Sequence, residues 1–265
     1  MQQEDIIKPQ RKLRMVIAYN GANYHGWQRQ ADGIDTVQQR VEEATKHVLR
    51  HPLNVHGASR TDAGVHAEGQ SAHVITTNMS VPLFGMKRAM NSHLPRDIVV
   101  RSIAEVPMNF NASVSAAGKT YRYRIHVGPT RPVERTALVL HYWRPLDIEP
   151  MQLASNRLVG THDFAGFASA GDQRDSTVRT ITRCDVVPVG DEIQVFVAGT
   201  GFLYNQVRNI VGTLIEIGRG LWNPDRVDKI LQSGDRRDAG PTSPPDGLTL
   251  MRVHYDPKDL IVTDK

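Results

Sequence analysis

Apolar and polar positions follow two different periods along this chain, and the places where the period changes divide it into short strands and helices. Residues 13–19 (LRMVIAY) form a strand-like run that stops at the turn signal Asn20-Gly21. Thr36 stands before VQQRVEEATKHVLR, in which Val37, Val41, Ala44 and Val48 recur every three or four residues. This spacing predicts an N-capped amphipathic helix. Strands are expected at 53–59 and around 70–76, a helix at 83–93, and an alternating strand at 97–106. The first half therefore reads β-α-β-β-α-β.

A second pass starts with the strand KTYRYRIHV at 119–127, followed by a helix at 148–159 and strands near 178–188 and 192–198. Asn205 to Gly218 is the next helix, with Val207, Ile210, Val211, Leu214 and Ile215 on one stripe and Gly218 or Gly220 able to end it. A short helix at 225–233 and a strand at 248–255 complete the pattern. Two α+β halves of similar order predict a duplicated unit of sheet plus helices, whose open sheets meet in a long central cleft. The expected boundaries are an N-terminal extension at 1–12, an N-terminal α+β domain at 13–110, a C-terminal α+β domain at 111–257 and a tail at 258–265.

Composition narrows the function classes. Of 265 residues, 40% are hydrophobic and 23% charged, the profile of a folded globular protein. No apolar run is long enough to span a membrane, and MQQEDIIKPQRK lacks the apolar core of a secretion signal, so a cytoplasmic protein without a membrane partner is expected. The single cysteine, Cys184, excludes an internal disulfide and a multi-thiolate zinc site. In TITRCDVV it has no neighbouring histidine, so a half-buried strand cysteine is expected rather than a nucleophile. The formal charge of +4 is compatible with a polyanionic partner without requiring one. Arg174, Arg179 and Arg183 recur through one segment, and Arg11, Lys12 and Arg14 cluster near the start. Both groups suit phosphate oxygens, or a solvated surface.

The most unusual stretch is Gly57-Ala58-Ser59-Arg60-Thr61-Asp62-Ala63-Gly64-Val65-His66-Ala67, which packs small residues around one carboxylate and one guanidinium. Small residues let a backbone approach a ligand closely. From these residues alone, a strand-to-loop turn in which Thr61 and Asp62 satisfy local donors is the other open reading, and a functional one needs more than these residues. Asp62, His66 and His73 could be drawn as a metal site, but their spacing matches no specific metal motif and no metal is expected.

Several motifs, in order, resemble the TruA family of tRNA pseudouridine synthases: Tyr19-Asn20-Gly21 with Tyr24, Gly26, Gln28 and Gln30, then Arg60-Thr61-Asp62-Ala63-Gly64-Val65-His66. Lys119-Thr120-Tyr121-Arg122-Tyr123, Gly160-Thr161-His162-Asp163-Phe164, Gly201-Phe202-Leu203, Val207-Arg208-Asn209-Ile210-Val211-Gly212 and Pro245-Asp246-Gly247-Leu248 continue the likeness over nearly the whole chain. The resemblance implies two RRM-like (ferredoxin-like) α/β sandwich domains in a homodimer. It implies cofactor-free isomerisation of uridine to pseudouridine at positions 38, 39 and 40 of the tRNA anticodon stem-loop, with no DNA partner. Asp62 is then the catalytic carboxylate, as nucleophile or as stabiliser of an oxocarbenium-like centre. Arg208 is its cationic partner. About 100° from Val207 around its helix, it can bury its stem while its head reaches the site. Tyr121 is the aromatic residue that lies against the target base, its period-two partner Tyr123 packs inward, and Arg60 fills the vacated space or holds a phosphate. Ser113 stands where many relatives have arginine, and Gln206 where methionine is usual. Two rivals are a relative with another RNA target and a non-catalytic RNA-binding protein on the same scaffold.

Overall fold

Strand β1 (Arg11–Tyr19) begins two residues before the apolar run, because Arg11 and Lys12 are themselves buried. Arg11 donates through Nε to Asn78 O at 3.1 Å and through Nη2 to Val81 O at 2.7 Å. Lys12 Nζ donates to Met108 O, and to Phe110 O at 2.7 Å. These two cations satisfy backbone carbonyls of their own unit, so for Arg11 and Lys12 neither of the two open readings, phosphate contact or solvated surface, holds. Arg14 donates to Ser71 Oγ.

The computed structural model describes residues 9–31, 33–171 and 175–260, so Arg174 lies outside the described residues. The chain divides into two units, Met1–Ala116 and Ala117–Lys265. In the first, α1 (Val37–Leu49), β2 (His56–Gly57), β3 (His66–Thr76), α2 (Leu83–His93) and β4 (Ile98–Val106) follow β1. The strands order as β4-β1-β3, all antiparallel, with the short β2 beside β3. Leu13, Met15 and Ile17 alternate into the core against Val37, Val41 and Ala44 of α1 and Met86 and Met90 of α2.

Three departures from the expected elements have local causes. Helix α1 keeps its Thr36 cap, but Leu49 is buried where Val48 was expected, and Arg50 ends the helix in the left-handed region at φ 62°. The strand expected at 53–59 shrinks to two residues because helix side chains take its backbone groups. Val55 N donates to Glu42 Oε1 at 3.0 Å, and Val55 O accepts from Gln38 Nε2 at 2.8 Å. Strand β3 starts at His66 instead of around residue 70, pulling the end of the small-residue segment into the sheet.

The second unit contains β5 (Gly118–Val127), β6 (Leu140–Tyr142), α3 (Ile148–Asn156), β7 (Gly160–Asp163), β8 (Val178–Val189), β9 (Glu192–Gly199), α4 (Gln206–Gly218), α5 (Arg226–Ser233) and β10 (Leu248–His254). Its strands order as β10-β5-β9-β8-β7, antiparallel throughout, while β6 runs parallel beside the last residues of β5. Strands β6 and β7 were not expected from the pattern; at three and four residues each is too short for a period to show.

Helix α4 forms as expected, and its stripe is buried. Gly212 lies where an added Cβ would meet Pro241 O at 1.8 Å, so the 239–243 segment crosses the helix in direct backbone contact. Asn209 ties the same neighbourhood together, donating to Phe167 O at 2.8 Å and accepting from Thr242 Oγ1 at 2.6 Å. The Val-Arg-Asn-Ile-Val-Gly motif is therefore largely a packing motif with one arginine in it. Pro245-Asp246-Gly247 is similar: a Cβ on Gly247 would lie 2.5 Å from the Tyr123 ring, whose hydroxyl donates to Pro244 O. Tyr123 packs inward as expected, and its burial pushes the hydroxyl pKa well above the usual range.

Candidate active site

Residues 58–65 connect β2 to β3 and are gripped by the loop that leaves β1. Trp27 N donates to Thr61 O at 3.0 Å, Gly64 N donates to Tyr24 O at 3.2 Å, and Gly21 N donates to His66 Nδ1 at 3.0 Å. The contact admits no extra atoms. A Cβ at Gly21 would lie 2.0 Å from Val65 O, and one at Gly26, whose φ is +90°, would lie 2.6 Å from Thr61 O. Gly57 packs on Trp27 just as closely. Tyr24 is anchored in turn by its hydroxyl, 2.6 Å from Asp97 Oδ1. Burial, then the Asp97 carboxylate, drive its pKa well up.

Within this grip the loop alternates. Arg60 is exposed, Thr61 is buried with its hydroxyl 2.7 Å from that of Tyr19, Asp62 is half-buried and Ala63 is exposed. Gly64 turns the chain at φ +79°, and Val65 N donates to Asp62 O at 3.1 Å. Ser59 is held through Gln70, which accepts from its N–H at 3.2 Å and donates to its carbonyl at 2.6 Å. The loop is thus a fixed platform that presents one guanidinium and one carboxylate.

In the second unit, Arg208 is half-buried on the first turn of α4. Its Nε donates to Ser243 O at 2.7 Å and its Nη1 to Asn205 Oδ1 at 2.8 Å, which fixes the plane of the guanidinium. Tyr121 on β5 is 8% exposed and stands edge-on to Phe202, centroids 5.3 Å apart. Gln206 is fully buried, and its Oε1 accepts from Leu203 N at 2.8 Å, giving this departure from the TruA pattern a local structural role.

A sequence profile described as tRNA pseudouridine synthase matches residues 15–113 and 154–256. The chain belongs to this family. It is 42% identical over 245 residues to tRNA pseudouridine synthase A 2 of Clostridium perfringens, covering 92% of this chain and all of that one. It is 42% identical over 249 residues to tRNA pseudouridine synthase A of Syntrophotalea carbinolica (94% and 98% of the two chains). With the Rhodospirillum rubrum protein of that name the identity is 44% over 245 residues (92% and 87%). The pseudouridine synthase profile includes Arg60 and Asp62 in its first matched segment and Arg208 in its second, while Tyr121 falls between them.

Other candidates are accounted for by structure. His66 accepts from Gly21 N, and His73 Nδ1 accepts from Ala112 N at 3.1 Å. Among the described residues, no group of three or more His, Cys, Asp or Glu side chains is arranged to hold a metal. Cys184 is fully buried rather than half-buried, and burial, with Asp185 adding to it, pushes its thiol up to about 12. Arg179 donates to Ser176 O and Val178 O, and Arg183 pairs with Asp185. Among the described residues no helix is long and apolar enough to cross a membrane. Sequence reasoning missed Tyr19 and Thr61 as a bonded pair, Gln38 and Glu42 as buried anchors, and Asn205 and Ser243 as the holders of Arg208.

Proposed function

We propose that this protein isomerises uridine to pseudouridine in tRNA, at positions 38, 39 and 40 of the anticodon stem-loop, with Asp62 as its catalytic carboxylate. The observation that carries this reading is the Asp62 loop, a family motif whose backbone is fixed on both flanks while its carboxylate side stays half-exposed.

The reaction breaks the bond from ribose C1′ to uracil N1, turns the base, and joins C1′ to C5. A proton leaves C5 and one is gained at N1, so nothing is oxidised and no redox cofactor is called for. An ionised carboxylate can attack as nucleophile or stabilise the electron-poor centre left when the glycosidic bond breaks. Arg208 serves as the cation that keeps it charged. The target must leave its stack first, at a cost of a few kcal/mol. Tyr121 offsets this by contacting the extruded base, with Arg60 in the vacated space or on the adjacent phosphate. Two RRM-like halves, a homodimer binding one tRNA and a cytoplasmic location complete the proposal. Recognition is by RNA shape and backbone charge.

The decisive variant is Asp62→Asn, which keeps the side chain's shape and removes its charge. It should abolish pseudouridine formation on unmodified tRNA transcripts while leaving tRNA affinity within a few fold; substantial turnover would refute the assignment. Mapping pseudouridine in tRNA from cells with and without the gene tests the positions, and loss at other sites would assign another target.

A further inference from the structure

We propose that the buried hydroxyl pair of Tyr19 and Thr61 is the device that aims Asp62, so that both are positioning residues for the reaction although neither touches the uridine. The inference rests on the reading of Asp62 as the catalytic carboxylate. Three features of the fold support it.

First, the register between β1 and β3 shifts between Ile17 and Tyr19, the point at which the strand reaches the Asp62 loop. A bulge re-aims a side chain, and here it delivers the Tyr19 hydroxyl to Thr61 across 42 residues of sequence. Second, Thr61 is fixed twice, through its hydroxyl by Tyr19 and through its carbonyl by Trp27 N. A residue fixed at both side chain and backbone has little freedom to rotate, and its neighbours inherit that restriction. Third, Thr61 is the inward-pointing residue between the outward Arg60 and the half-exposed Asp62. A rotation at Thr61 therefore swings both candidate site residues together.

The loop's backbone contacts to Tyr24, Trp27 and Val65 remain when either hydroxyl is deleted, so the fold is expected to survive while the aim loosens. Loss of aim lowers the rate of the chemical step without weakening substrate binding, and misplacement by about 1 Å can cost a hundredfold.

The test compares Tyr19→Phe, Thr61→Val, Thr61→Ser and the double variant Tyr19→Phe/Thr61→Val with wild type and Asp62→Asn. The readouts are single-turnover pseudouridine formation at saturating unmodified tRNA and, separately, tRNA affinity. Tyr19→Phe and Thr61→Val should each slow the reaction about ten- to hundredfold with affinity unchanged within twofold. The double variant should be no slower than the worse single one, because both remove the same bond. Thr61→Ser, which keeps the hydroxyl, should recover to within about threefold of wild type. Wild-type rates in Tyr19→Phe or Thr61→Val, a double loss equal to the product of the singles, or a Thr61→Ser as slow as Thr61→Val would each overturn the proposal. Should Tyr19→Phe fail to fold, the Thr61→Ser and Thr61→Val pair decides alone. An inactive Asp62→Asn beside fully active hydroxyl variants sinks only this inference, whereas an active Asp62→Asn sinks the reading beneath it.

Discussion

Asp62 and Arg208 pose the same problem, holding a charged group still, and the two units solve it with different materials. Around Asp62 the constraint is backbone against backbone: Gly21 and Gly26 let the β1 loop lie directly on residues 61–65, and peptide groups exchange hydrogen bonds across the contact. Around Arg208 the constraint is made by hydrogen bonds that the guanidinium itself donates, one to Asn205 Oδ1 and one to Ser243 O, at the start of a well-buried helix. The first arrangement has no spare volume and should fail abruptly when an atom is added. The second rests on separate bonds and should lose function by degrees.

The largest expected effect follows from the first arrangement. Gly21→Ala would place a methyl 2.0 Å from Val65 O, a backbone atom that cannot swing aside. We expect pseudouridine formation to be abolished and stability to fall by about 3 kcal/mol, the upper end for overpacking, as measured by urea unfolding. Normal turnover in this variant would remove the contrast. Arg208→Ala comes next, with the single-turnover rate at saturating tRNA falling about a hundredfold and the acidic limb of its pH profile displaced upward. A phosphate-contacting arginine would behave differently, weakening binding and reducing the salt slope by about one. A wild-type rate at saturating tRNA would make Arg208 a binding residue.

The two arrangements were also unequally legible in the sequence. Helices α1 and α4 follow from their apolar period, and the density of small residues around Asp62 marked its loop. The bonds that hold the loop were not legible, because Tyr19 reads as the last residue of a strand-like run and Thr61 as a turn residue. Nothing local says that they meet. Gln38 and Glu42 were not legible either, since they are polar, carry no motif and fall off the apolar stripe of α1, yet both are buried to bind the backbone of Val55 and leave β2 only two residues long. Lys12 likewise reads as surface charge and is spent on the carbonyls of Met108 and Phe110.

Strand β3 sharpens the comparison through pH. His66 and His73 both accept backbone N–H groups through Nδ1, which must then carry no proton. Burial, with His56 stacked beside it and Lys12 near, lowers the His73 pKa to about 4 from an ordinary value of 6.5. A lowered folded-state value means that the unfolded chain binds the proton first, so stability is complete above about pH 6.5 and is lost as pH falls towards 4. The loss should reach at most roughly 3 kcal/mol. Urea unfolding of wild type and His73→Asn between pH 7 and 4 checks this, since the asparagine Oδ1 takes the place of Nδ1 and can accept from Ala112 N without titrating. Equal slopes would show that His73 does not couple the first unit to pH.

The smallest expected effect tests whether Arg208 is held by degrees. Asn205 has φ 59°, a left-handed conformation that glycine adopts freely and that costs alanine about 1 kcal/mol. It also accepts from Arg208 Nη1 at 2.8 Å and donates to Ser169 Oγ at 3.2 Å. Asn205→Gly therefore removes the side-chain bond while keeping the backbone, and Asn205→Ala removes the bond and adds strain. With Ser243 O still holding Nε, the guanidinium keeps one of these two anchors, and both variants should slow the single-turnover step by the same factor of roughly three to ten. They should differ from each other only in stability, by about 1 kcal/mol in urea unfolding. A rate loss in Asn205→Gly as large as that of Arg208→Ala would mean that this one bond carries the whole arrangement, making the second unit as brittle as the first.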